Sequence, residues 1–125
     1  MGANRLLQVE LAPNGAFNVT EFGTVKDPAQ FKALYAYSPY YHVVDGTKYP
    51  SILFMTGAND GRVAPYHSSK MVERLDDANK SANPILLRTG TSAGHGIGTA
   101  LSERIKQLAD QYSFLFAQLD MRAKQ

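Results

Sequence analysis

The sequence predicts an α/β domain built on a parallel sheet, and three observations carry that expectation. The run Ser51-Ile-Leu-Phe-Met55 is apolar, with a β-branched and an aromatic member, as in a strand buried on both faces of a parallel sheet. It breaks into Thr56-Gly-Ala-Asn-Asp-Gly-Arg-Val-Ala-Pro65, a Gly- and Asn/Asp-rich turn whose proline suits the first turn of a helix. A second unit repeats the plan, with Pro84-Ile-Leu-Leu-Arg-Thr89 as strand, Gly90-Thr-Ser-Ala-Gly-His-Gly-Ile-Gly98 as loop, and a long helix behind. Crossover connections put the two strands side by side or nearly so, and send both post-strand loops to one edge.

Taken in order, residues 1–25 lack sustained periodicity. Leu6-Leu-Gln-Val-Glu-Leu11 suits a strand or one helical turn, and Pro13-Asn-Gly15 a turn. Phe17, Val19 and Phe22 need cover from elsewhere. Asp27 is an N-cap for a helix over residues 28–36, opening with Pro28 and expected to bury Phe31, Leu34 and Tyr35. Ser38-Pro39 stops it, and a tyrosine-rich loop leads to the first strand. After Pro65, Met71, Val72 and Leu75 form an apolar stripe at helical spacing, and residues 78–83 are a polar connector. The last helix, about 99–121, carries Leu101, Ile105, Leu108, Tyr112, Leu115, Phe116 and Leu119 at threes and fours, and is expected to pack that stripe on the sheet. Two parallel strands leave edges unpaired, so the chain reads as the last part of a larger α/β protein.

At 125 residues there is room for one domain with a modest core. A net charge of +2, with scattered basic residues, gives no reason to expect nucleic acid. The absence of cysteine excludes disulfides and a thiolate nucleophile. No apolar stretch approaches the roughly 20 residues of a membrane span, and the start lacks a signal-peptide pattern. The Asn18-Val-Thr20 sequon then reads as chance. The expected location is the cytoplasm, or the periplasm if an upstream signal has been removed. His42, His67 and His95 have no metal-ligand spacing, and neither a metal nor a cofactor is expected.

Asp60 and His95 each fall on a post-strand loop, separated by one helix and one strand. That is the order and placement of the last two members of a Ser-His-Asp hydrolase triad, in which the acid orients the imidazole and the imidazole moves the proton. Plainer readings stand beside it. An aspartate in Asn-Asp-Gly is a turn former, most loop histidines are inert, and Arg62 could solvate the loop or pair with Asp60. The tyrosine cluster Tyr35, Tyr37, Tyr40 and Tyr41 reads as a subdomain contact. No serine stands in G-x-S-x-G between a strand and a helix, so the nucleophile elbow is absent from the sequence.

Several motifs together resemble the carboxy-terminal end of the prolyl oligopeptidase family of serine peptidases: Tyr37-Ser-Pro-Tyr40, Tyr49-Pro-Ser51, Asn59-Asp-Gly-Arg-Val63 with Pro65 and His67-Ser68, and Ala93-Gly-His-Gly96. The resemblance runs from about Leu6 to the end. It implies a partial α/β-hydrolase fold of three-layer type, truncated, with residues 1–125 as the carboxy-terminal segment of a catalytic domain that is elsewhere paired with a β-propeller. It implies Asp60 as triad acid, His95 as base, Arg62 as ligand of a substrate carbonyl and Val63 as a pocket residue. Phe22 stands where the family commonly has a tyrosine of the proline pocket and Asn18 where it has a tryptophan, which weakens the expectation of proline specificity.

On this reading the chain supplies Asp and His for hydrolysis of short peptides and is expected to be inactive alone, since the serine and oxyanion donors lie upstream. One alternative is a non-catalytic α/β interaction module. Both lead to the expectation of a homo-oligomer formed through exposed sheet edges. Another is an enzyme using Ser92 or Ser68 near His95.

Overall fold

The computed structural model describes residues 4–91, 94–96 and 99–121. Two helical segments come first, α1 (Val19–Phe22) and α2 (Pro28–Tyr37). Strand β1 (Ile52–Gly57) then leads through the acid loop to α3 (Tyr66–Ala78), and β2 (Ile85–Gly90) through the histidine loop to α4 (Leu101–Gln118). The strands pair in parallel, Ile52 against Ile85 through to Gly57 against Gly90, so both loops leave the same end of the sheet. Ile85 packs with α3, in a core of Val43, Met71, Leu75 and Ala78 joined by Ile52, Phe54 and Val72. Arg88 has the opposite parity along β2 and binds α4 on the other face. Helix, sheet and helix make three layers, a partial α/β-hydrolase fold.

Local chemistry accounts for the boundaries. Asp27 accepts the Gln30 N–H at 2.8 Å and Pro28 follows, so α2 starts where its cap and its fixed φ agree. The connector after α3 seats the approach to β1. Asn79 Oδ1 accepts the Tyr49 N–H at 3.1 Å, while the Ser81 hydroxyl and the Asn83 amide donate to the Tyr49 carbonyl at 2.9 and 2.8 Å. Residues 4–25 form no strand, only the short turns Leu6–Gln8 and Ala16–Asn18 and α1. Buried Ser38 anchors this segment, its hydroxyl accepting the Leu6 N–H at 3.1 Å.

Four expectations about burial fail, for one reason. Phe31 and Tyr35 on α2 stay exposed, stacked on each other, and only Leu34 is buried. Phe17 and Phe22 are uncovered. The strands are half-buried rather than enclosed, with Leu86 and Leu87 open to solvent. In α4 the half-buried positions are Glu103, Gln107 and Phe114, whereas Leu101, Ile105, Leu108 and Tyr112 face outward, as does Leu119 just past its end. A sheet of two strands has too few neighbours among the described residues to bury either its own leucines or these faces. The tyrosines do contact one another: Tyr41 lies 5.5 Å from Tyr35 and 5.3 Å from Tyr40, ring to ring. Among the described residues no helix is long and apolar enough to cross a membrane.

Candidate active site

Asp60 lies just past the end of β1, on a loop tied to the neighbouring strand by the Ala58 N–H to Gly90 carbonyl bond of 2.9 Å. Its Oδ1 accepts the backbone N–H groups of Arg62 and Val63, each at 2.9 Å, so the carboxylate folds its own turn. The Asp60 side chain has no exposed surface. Arg62 meets Asp60 through its main chain.

The turn-forming role does not exhaust the carboxylate. His95 Nδ1 lies 2.9 Å from Asp60 Oδ2 and 3.0 Å from Oδ1. A carboxylate only accepts, so Nδ1 carries the proton and, in the neutral ring, Nε2 on the opposite side is the free base. The imidazole is about one-third exposed, at 34%. Gly96 has φ +109°, a conformation that residues with a Cβ rarely adopt. Gly94 rests against the Asn59 carbonyl, and the Asn59 amide donates to the Thr91 carbonyl at 3.1 Å, a direct tie between the two loops. Burial pushes the Asp60 carboxyl up, but the Val63 N–H, the His95 ring and the Arg62 N–H together outweigh it. The net shift is below the ordinary carboxylate value, and the group is held ionised beside the imidazole.

Beside the acid loop lies an open cavity of about 520 Å³, lined by residues from 6–25, from α2 and from the loop. Asn18, Phe22, Arg62 and Val63 all line it, together with Asp60. His95 is absent from its wall and reaches it only through Asp60. Five of the six residues singled out from the sequence therefore share one cavity, and the sixth is hydrogen-bonded to a member of it.

What shapes the cavity is a set of ties that no motif announces. Glu10 accepts bonds from the Thr24 hydroxyl, at 2.8 Å, and the Val25 N–H, at 2.9 Å, closing the segment that carries Asn18 and Phe22. The Val25 N–H first, then Thr24, and more weakly Lys26 hold its carboxyl below the usual value against the effect of burial. His67, 2% exposed, accepts the Arg5 N–H at Nδ1 and also lines the cavity. Spacing identifies none of these, because their partners lie in irregular chain. Ser68 is buried at 3% exposure in the first turn of α3, sealed from solvent. Ser92, and with it Ala93 of the histidine motif, lies outside the described residues.

Comparison with known proteins follows the same outline. A sequence model of the prolyl oligopeptidase family matches residues 7–122. The chain belongs to that family. It is similar to the prolyl endopeptidase of Elizabethkingia meningoseptica, 34% identical over 98% of this chain and 18% of the relative. It is 38% identical to a prolyl oligopeptidase of Omphalotus olearius over 81% of this chain and 14% of the relative. Among solved structures, a prolyl endopeptidase superposes with a TM-score of 0.87 at 37% identity, covering 94% of this chain and 17% of that one. Prolyl oligopeptidase B from Galerina marginata, bound to a 35-residue hydrolysis and macrocyclization substrate, superposes with a TM-score of 0.86 at 28% identity, over 97% of this chain and 17% of that one. The chain thus spans less than a fifth of the length of these relatives.

Proposed function

We propose that Asp60 and His95 are the acid and base of a Ser-His-Asp triad for peptide-bond hydrolysis, completed by a serine that these 125 residues do not contain. The observation that carries this is the double approach of His95 Nδ1 to a fully buried carboxylate at the ends of adjacent parallel strands. In that role Nε2 takes the proton of the serine hydroxyl as its oxygen attacks the scissile carbonyl, and Asp60 stabilises the imidazolium. The proton then passes to the leaving amine. Arg62 holds a substrate carbonyl, and Val63, Phe22 and Asn18 form part of the wall that receives a substrate side chain. Asn18 offers a hydrogen-bonding amide where an aromatic ring would stack, so the wall is less selective for proline. Substrate-bound structures of the Galerina marginata enzyme support the residue types, since they are of variants in which a serine, a histidine or an aspartate is alanine. By itself the chain is inactive, having neither the elbow serine nor its oxyanion donors.

A second reading, a self-associating α/β module, is favoured by the outward apolar stripe of α4 and by the strand edges that pair with nothing among the described residues. The two readings separate in a fusion to the upstream portion of the Elizabethkingia meningoseptica relative. The triad reading predicts hydrolysis of a short chromogenic peptide by the fusion, lost in His95→Ala. A folded fusion whose hydrolysis is indifferent to His95→Ala rejects it.

A further inference from the structure

The histidine loop runs from β2 to α4, and one side chain bridges the two elements. Arg88 is a charge in the interior of β2, only 17% exposed. Its Nε donates to Asp110 Oδ2 and an Nη to Glu103 Oε1, each at 2.8 Å. Glu103 is as well covered as Arg88, at 16%, whereas Asp110 is more open. The two acids stand two turns apart on one face of α4. Because the apolar stripe of α4 faces away from the sheet, this polar clamp fixes where the amino-terminal half of the helix sits. The bond from Arg88 to Glu103 joins residues 15 apart in sequence, and His95 lies between them. The same arginine lines a small cavity of about 190 Å³ with Gly94, Gly96, Thr99 and Gln107, directly beside the glycines that flank the histidine.

We infer that Arg88 is a positioning residue for His95: through Glu103 and Asp110 it ties the start of α4 to β2, sets the span of the histidine loop and so keeps Nδ1 aimed at Asp60. The inference rests on the acid–base reading above for its functional meaning, but its test reads geometry alone. In the 125-residue chain, ring-nitrogen NMR of His95 is expected to show one tautomer with a hydrogen-bonded Nδ1 proton. Arg88→Met, which keeps a long stem without the charge, should lose that proton signal and give a mixture with the Nε2-protonated form. Glu103→Gln should give the same loss, and serves if Arg88→Met does not fold. Leu75→Val, destabilised at the core on the far side of the sheet, should keep the signal. A folded Arg88→Met or Glu103→Gln chain with the wild-type His95 signal overturns the inference. So does loss of the signal in Leu75→Val, which would make the effect one of general stability. Failure of the triad reading appears separately, as hydrolysis indifferent to His95→Ala.

Discussion

Replacing Asp60 by alanine and by asparagine separates its two duties. The carboxylate is fully buried and accepts the N–H groups of Arg62 and Val63. Alanine leaves both donors without their acceptor, at about 1–3 kcal/mol for the half-buried Val63 N–H and less for that of exposed Arg62, which water can reach. The loss is a sizeable share of the about 5–15 kcal/mol that holds a typical domain folded. Asparagine keeps an oxygen at the Oδ1 position for both N–H groups and turns its amide toward His95 Nδ1. The loop then persists at a cost of about 1–2 kcal/mol for the lost charge assistance, while the imidazole is driven to the Nε2-protonated tautomer, which cannot accept a serine proton. Urea unfolding checks the stabilities, with the midpoint expected to fall further for Asp60→Ala than for Asp60→Asn at similar slope. Equal midpoints for the two variants would refute the turn-holding role.

Other expectations follow from the same contacts. His67 is kept below its ordinary value by burial and by Arg5, so its neutral form belongs to the fold. Its contribution is complete above about pH 6.5 and is lost as pH falls from there toward the lower folded value. The melting temperature should drop across that window, and His67→Asn, which keeps an acceptor for the Arg5 N–H but does not titrate, should flatten the drop. Asp60 adds a second decline below about pH 3.9, since its folded value is also lowered. Leu75→Ala, in the core at 3% exposure, should cost about 2–5 kcal/mol in thermal unfolding, whereas Leu108→Ala on the open face of α4 should stay within about 0.5 kcal/mol. Joint replacement of Leu108 and Tyr112 by asparagine should reduce any self-association seen in sedimentation velocity, and an unchanged distribution would remove the α4 stripe as its cause.

The features legible in the sequence are those set by short-range pattern. The apolar run before Gly57 and the one before Gly90 gave both strands, Asp27-Pro28 gave the start of α2, and Met71 and Leu75 gave the buried face of α3. Strand, turn, helix repeated twice was enough to send Asp60 and His95 to one edge, where they meet. What periodicity could not give was the direction of an apolar face once neighbours are few. The α4 stripe was regular enough to identify a helix, yet the side that meets the sheet carries Glu103, Gln107 and Phe114, with Arg88 bonded to Glu103 and Asp110. Phe17 and Phe22 likewise read as residues needing cover and stand open. The cavity wall was legible only in its members: Asn18, Phe22, Arg62 and Val63 converge because Glu10, Ser38 and His67 tie irregular segments together, and such ties leave no spacing to read.

The most direct test of the triad assignment is intact-mass analysis of the purified 125-residue chain after treatment with a fluorophosphonate serine-hydrolase probe. An acid and base without their nucleophile predict no adduct. An adduct that disappears in His95→Ala would contradict this, since it would mean that a serine within these residues is activated by His95.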